Sequence, residues 1–148
     1  MKISLVIPTY NESENIIQIS EDIKNIFNNL KYDYELIIID NSSTDGTIDI
    51  IKKLANENKN IKVIINSRNY GHIRSPFHGI LQSTGDATIL MSADFQDPPY
   101  LINKYIEMWE KGKKVVLAQK NTSKENRLVF YLRKLFYKII SLSDFLAK

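Results

Sequence analysis

Short apolar runs alternate along this chain with longer stretches in which apolar residues recur every three or four positions. Residues 2–7 form the first run, which ends at Pro8 and reads as a buried strand. Asn11 with Glu14 three residues later is an N-terminal capping signature. Ile16, Ile19, Ile23, Phe27 and Leu30 follow at helical spacing and predict an amphipathic helix over residues 12–30. A second strand over 34–39 ends in Asp40-Asn41-Ser42-Ser43-Thr44-Asp45-Gly46, and a helix with Ile48, Ile51 and Leu54 on its inner face comes next. Residues 61–65 are a third strand, and 71–84 are helix-like but weakened by Pro76. Gly85-Asp86 turns the chain into the run 87–91, whose length and bounding turns suit a strand buried on both faces. Asp97 before Pro98 reads as an N-cap followed by proline at the first helical position. The helix so opened, 98–111, carries Leu101, Ile102, Tyr105, Ile106 and Trp109 and stops at Gly112. Residues 114–118 are expected to form a fifth strand.

Strands alternating with helices at this pitch imply right-handed βαβ units, a parallel sheet and helices on both faces. The polar clusters 8–12, 40–45, 68–71 and 94–97 all follow strands, so all belong to one edge of that sheet. In an open α/β sheet this is the edge where ligands bind. Asp94 and Gln96 fall on a strand-to-helix turn, expected at the carboxyl end of a central strand. A carboxylate at the tip of a buried strand is costly unless something pairs with it. Oxygen ligands there suit a hard cation such as Mg2+ or Mn2+, which could hold a diphosphate. For Asp97 the capping role suffices.

Composition narrows the classes. The 148 residues, 43% hydrophobic and 25% charged, fit one soluble globular domain. A net charge of +3 is too small to argue for nucleic acid. With no cysteine, disulfides and thiolate metal sites are excluded. No apolar run is long enough for a membrane span, and a cytoplasmic location is the expectation. The five glycines form no Gly-x-Gly-x-x-Gly turn, and there is neither a Gly-Lys-Ser/Thr phosphate loop nor a Gly-x-Ser-x-Gly turn. His72 and His78 have the wrong spacing for a zinc pair and read as ordinary polar histidines. A cleft without a glycine grip must hold anionic ligands by a metal and by arginine. Arg68 is placed to face phosphate. Tyr10 either stacks on a nucleobase or packs at the rim, and Glu12, Asp40 or Asn41 can accept from a base or a ribose.

Four motifs then occur in order: Ile7-Pro8-Thr9-Tyr10-Asn11-Glu12, Ile39-Asp40-Asn41-Ser42-Ser43-Thr44-Asp45-Gly46-Thr47, Arg68-Asn69-Tyr70-Gly71 and Ser92-Ala93-Asp94-Phe95-Gln96-Asp97-Pro98-Pro99. Together they resemble the family 2 glycosyltransferases with the GT-A fold, closest to the polyprenyl-phosphate sugar transferases. That branch includes dolichol-phosphate mannosyltransferases and bacterial undecaprenyl-phosphate glucosyltransferases. The resemblance implies an α/β, Rossmann-like three-layer sandwich with a mainly parallel central sheet. It also implies inverting transfer of a sugar from a nucleoside-diphosphate sugar to a polyprenyl phosphate or a cell-surface glycan. Carried over by position, Pro8, Tyr10 and Glu12 line the nucleoside pocket, and Asp40 and Asn41, with Ile39 beside them, meet base and ribose. Arg68 and Ala93 belong to the same nucleotide-sugar site. Asp94, helped by Gln96, binds the Mg2+ or Mn2+ that bridges the diphosphate. The chain departs from the family in two places within these motifs: Ser92 stands where the metal motif usually begins with aspartate, and Asn41 replaces a second acidic residue.

Residues 1–120 are expected to form the nucleotide-sugar-binding domain, and 121–148 a basic amphipathic extension. Family members continue with an acceptor-binding half that supplies the catalytic base. The expectation is therefore a donor-binding half, truncated before the acceptor half, with no base assigned. From 111 to 138 there are nine Lys/Arg and one acidic residue, Glu125. Leu128, Leu132, Leu135, Ile139 and Leu142 form one stripe of a helix over 127–146, interleaved with Arg133, Lys134 and Lys138. This helix either packs on the rest of the protein or lies on anionic lipid, which would bring the chain to the inner face of the membrane. No nucleic-acid partner is expected, and homo-oligomerisation is left open. The alternative to an enzyme is a catalytically silent module of the same fold that binds a nucleotide or a protein.

Overall fold

Alternating apolar side chains on parallel strands can be buried on both faces only if helices cover both. The computed structural model, which describes residues 1–118 together with 130 and 131, realises this arrangement. The strands β1 (Lys2–Thr9), β2 (Asp33–Asp40), β3 (Ile61–Ile65) and β4 (Ala87–Leu90) pair in parallel in the order β3-β2-β1-β4. Between and after them run α1 (Ile16–Phe27), α2 (Thr47–Glu57), α3 (Gly71–Leu81) and α4 (Leu101–Glu110). All belong to the first of two units, Met1–Val116 and Leu117–Lys148. The helix expected over 127–146 lies outside the described residues apart from Phe130 and Tyr131.

One face of the sheet buries Ile3, Leu5 and Ile7 of β1 and Leu36 and Ile38 of β2. Against them pack Ile16, Ile19, Ile23 and Phe27 of α1, Ile51 of α2, and Ile102 and Ile106 of α4. The other face presents Val6, Ile37 and Ile39, with Ile80 of α3 packed against them. Gly79 makes this second layer close. A Cβ there would sit 2.7 Å from Val6 Cγ1 and 3.2 Å from Ile39 Cγ2, and both are fully buried.

Pro8 does not stop β1, which runs on to Thr9 with Pro8 opposite Ile39. Lys2 and Val6 accept hydrogen bonds from Asp86 and Met91 on the β4 side, whereas Thr9 bonds Asn41 on the β2 side. Pro8 is in phase with Lys2 and Val6. Its missing N–H therefore faces the β4 side, where β4 has ended at Leu90, opposite Val6.

Four local expectations are corrected. The first helix begins at Ile16 with Asn15 at its N-cap, because Asn11 is left-handed (φ 57°) and spends its side chain on Thr44 instead. The last helix begins at Leu101 rather than at Pro98, because Asp97 accepts from Ser92 while the carbonyls of Pro98 and Pro99 form a preceding turn with Leu101 and Ile102. Among the described residues β4 is outermost rather than central, and of its residues only Ile89 is buried. Residues 114–118 form no strand; Val115 and Leu117 stand 79% and 86% exposed. Strand propensity reports a fit to neighbouring strands, and among the described residues this run has no paired neighbour to fit.

At the amino edge of the sheet Glu35 is 3% exposed and ties three segments together. Its Oε1 accepts from Ser4 Oγ (2.6 Å), from Thr84 N (2.7 Å) and from Thr84 Oγ1 (2.9 Å), and Oε2 accepts from Lys62 Nζ (2.6 Å). Ser4 Oγ in turn accepts from Gly85 N, where a Cβ would meet Lys2 O at 2.7 Å. Burial by itself would raise the carboxyl's pKa, but the bonds from Lys62, Ser4 and Thr84 outweigh it and hold it at about 2. A carboxyl whose pKa falls on folding adds stability above its ordinary value of 4.5 and gives it back as the pH drops towards 2. Glu35→Ala leaves the buried Ser4 hydroxyl without its acceptor. Urea unfolding at pH 7 should show a loss of about 2–3 kcal/mol, and the difference from the parent chain should shrink between pH 4.5 and pH 2.

Candidate functional site

The loops that leave β1 and β2 lie side by side at the carboxyl edge, beyond the reach of the strand ladder, and side chains satisfy their backbone. Asn11 N–H donates to Ser43 Oγ (2.9 Å), and Asn11 Oδ1 accepts from Thr44 N–H (2.9 Å). Glu12 N–H donates to Thr47 Oγ1 (3.0 Å), whose own proton goes to Asp45 Oδ1 (2.5 Å), while Asp45 Oδ2 accepts from Ser13 N–H (3.1 Å). The bonds from Thr47, and those from Ser13, hold the Asp45 carboxyl far below the usual carboxylate range. Asp40 is fully buried and accepts from Ser43 N–H at Oδ1 (2.8 Å) and from Ser43 Oγ and Thr9 Oγ1 at Oδ2 (2.5 and 3.1 Å).

The β3–α3 loop closes the other side. Asn41 accepts from Tyr70 N–H (2.8 Å) and Asn66 Nδ2 (3.2 Å), and donates to Asn69 Oδ1 (2.8 Å) and Gly71 O (3.4 Å). The Arg68 guanidinium lies over the Tyr70 ring, 5.0 Å from its centroid. Between the loops opens a cavity of about 400 Å³ lined by Pro8, Thr9, Tyr10, Glu12, Asn41, Asn69, Gly71, His72, Ser75 and Pro76. Tyr10 is 49% exposed, so its ring is available to a ligand. The Glu12 carboxylate accepts from Asn15 Nδ2 (2.9 Å).

The turn after β4 is the third part. Met91 and Ala93 are buried, whereas Asp94 and Gln96 are exposed, with Phe95 between them left-handed at φ 58° and packed on the core. Anchoring that ring inward turns its two polar neighbours outward. Asp94 Oδ1 accepts from Gln96 N–H (3.1 Å) and Oδ2 from Gln96 Nε2 (2.5 Å). A carboxylate has about four acceptor positions, so these bonds leave lone pairs for a cation. Ser92 Oγ donates to Asp97 Oδ2 (3.2 Å), so the residue standing in place of the usual aspartate is bonded to a carboxylate five positions on. Among the described residues no group of three or more His, Cys, Asp or Glu is gathered closely enough to hold a metal ion.

Of the residues singled out by sequence, Pro8, Tyr10, Glu12 and Asn41 share the cavity. Ile39 lies in the core under α3, Asp40 is enclosed by Ser43 and Thr9, and Arg68, Ala93, Asp94 and Gln96 are outside the cavity lining. His72, Ser75 and Pro76 line it although sequence reasoning did not single them out for the cleft. The available signal was position: they occupy the first turns of the helix that opens directly after the 68–71 cluster.

A family model described as glycosyl transferase family 2 matches residues 4–146. An undecaprenyl-phosphate 4-deoxy-4-formamido-L-arabinose transferase of Proteus mirabilis is 36% identical over 141 residues, which cover 95% of this chain and 42% of that protein. The crystal structure of S. aureus TarS in complex with UDP superposes with a TM-score of 0.61 at 21% identity, covering 84% of this chain and 40% of that one. The mannosyltransferase PcManGT of Pyrobaculum calidifontis, in complex with GDP-Man and Mn2+, gives 0.52 at 24% identity, covering 62% and 27%. At these identities the structural likeness is one of fold. The chain spans less than half the length of the curated relatives it matches.

Thr47 is fully buried and joins the two loops through one hydroxyl. Thr47→Val keeps the shape but strands Glu12 N–H and takes a donor from Asp45. Chemical denaturation should show a loss of about 1–3 kcal/mol, with faster amide exchange at Glu12 than in β1.

Proposed function

Because the chain belongs to glycosyl transferase family 2, we propose that its first unit binds a nucleoside-diphosphate sugar in the cleft beside Tyr10 and serves inverting transfer of the sugar to a polyprenyl phosphate. The observation that chiefly supports this is the cavity itself. It opens at the carboxyl edge of a parallel sheet, is about 400 Å³ in volume and is walled by Pro8, Tyr10, Glu12 and the β3–α3 loop. Its aromatic wall suits a base, and its polar rim suits a ribose. The Proteus mirabilis relative is named for an undecaprenyl-phosphate substrate, and the two solved structures are complexes with UDP and with GDP-Man.

Asp94 and Gln96 are the residues that would hold Mg2+ or Mn2+. The Asp94 carboxylate and the carbonyl oxygen of the Gln96 amide are hard donors, and the outward placement of both residues fits a hard cation. Such an ion, when bound, neutralises charge on the departing diphosphate. The chain's own part is to orient the donor. Tyr10 stacks on the base, the laced loops fix the ribose, and Arg68 offers a planar cation to phosphate. A lipid phosphate arrives already ionised near neutral pH. Its oxygen therefore asks little of a general base, and none is assigned. The basic segment 111–138 would bring the chain to anionic lipid at the inner face of the membrane. No helix among the described residues is long and apolar enough to cross a membrane.

Calorimetry with UDP and GDP, with and without Mn2+, tests the donor site. Nucleotide should bind in both conditions and more tightly with Mn2+. Asp94→Asn should remove the gain, about tenfold or more, while leaving metal-free affinity within about twofold. Failure to bind either nucleotide sinks the reading, and binding without transfer to undecaprenyl phosphate would favour the silent module. Flotation with vesicles tests the lipid step. The chain should rise with anionic vesicles and stay behind with neutral ones, and neutralising Arg133, Lys134 and Lys138 together should abolish the difference.

A further inference from the structure

We propose that Asn41 is a positioning residue: its side-chain amide seats the β3–α3 loop, and with it Arg68 and Tyr70, against the cleft. It does not read the nucleotide. The ligand in this inference rests on the nucleotide-sugar reading; the geometry rests on bonds the ligand-free protein already makes.

An asparagine amide has two lone pairs and two N–H groups. In Asn41 all four are engaged. Oδ1 accepts from Tyr70 N–H at 2.8 Å and from Asn66 Nδ2 at 3.2 Å, while Nδ2 donates to Asn69 Oδ1 at 2.8 Å and to Gly71 O at 3.4 Å. The residue is 6% exposed, so water does not stand in for these partners. A base or ribose could bond the amide only by displacing a loop contact. The network continues past Asn41. Asn69 Oδ1 also accepts from Gly71 N–H (2.8 Å), and Asn66 gives its second N–H to Ser75 Oγ (2.9 Å), buried on α3. A single side chain at the end of β2 thus fixes both the loop and the first turns of the helix that lines the cavity.

The same bonds explain what an acidic residue here would do. A carboxylate keeps the bonds from Tyr70 and Asn66 but sets an oxygen against Asn69 Oδ1. If Asn69 turned its amide to donate, Gly71 N–H would lose its acceptor. Asn41 and Asn69 are matched, donor to acceptor, and the wall that carries Arg68 depends on the match.

Two measurements on the full chain decide the matter. In ligand-free protein, Asn41→Ala should speed amide exchange at Tyr70 and Gly71 about tenfold or more, with β1 and β2 amides unchanged. Asn69→Ala, at an exposed residue that folding tolerates more readily, should do the same at Gly71. Unchanged exchange at these amides in both variants overturns the proposal. By calorimetry each single variant should weaken UDP binding about tenfold, and the double variant should be no weaker than either. Additive losses would mean that the two side chains act separately, which also overturns it. If the parent chain binds neither UDP nor GDP, the nucleotide-sugar reading fails, and the exchange data still decide the role of Asn41.

Discussion

Four parallel strands deliver four chain segments to the same edge of one sheet, and there the backbone runs out of ladder partners. A buried or half-buried N–H without an acceptor costs about 1–3 kcal/mol, so something must replace the missing strand. In this protein the replacement is a set of short polar side chains. Asn11, Ser43, Asp45 and Thr47 lace the first two loops together, and Asn41, Asn66 and Asn69 hold the third. Much of the polarity that marks this edge is therefore already spent on backbone before any ligand arrives. That is what gives the cleft a defined shape.

The two ends of the sheet show the same chemistry put to opposite uses. Glu35 at the amino edge is enclosed and receives three bonds on one oxygen and a lysine on the other, so its charge is wholly internal. Asp94 at the carboxyl edge is exposed, and its carboxylate accepts from the backbone N–H and the side-chain amide of one neighbour two residues on. The first arrangement holds segments together. The second keeps a carboxylate oriented while leaving lone pairs for an outside charge.

Backbone strain follows the same division. Asn11, Ser42 and Phe95 are the non-glycine residues with positive φ among the described residues, and each lies in a loop at the carboxyl edge. Asparagine tolerates this region; serine and phenylalanine do so at a cost. For Phe95 the packing of the ring supplies the compensation, and the outward aim of Asp94 and Gln96 is the consequence.

Order, type and edge were legible in the chain: strand and helix periods differ, parallel topology follows from their alternation, and any polar cluster after a strand must then share one rim. Four motifs in sequence also pointed to the family that the match over residues 4–146 establishes. Local bounds were less legible, because capping signals are bids that tertiary contacts can outbid. Asn11 and Asp97 both had cap-like surroundings, but Asn11 bonded to Thr44 of the neighbouring loop and Asp97 to Ser92 within its own turn. The apolar run 114–118 looked like a strand because periodicity cannot report whether a neighbouring edge is present. Nor could sequence say that Asn41 is saturated, or that His72 and Ser75 enter the cavity. Those facts depend on distances between segments some thirty positions apart, such as the bond from Asn41 to Asn69 with a separation of 28. Residue types state which bonds are chemically available; only the folded arrangement decides which of them are made.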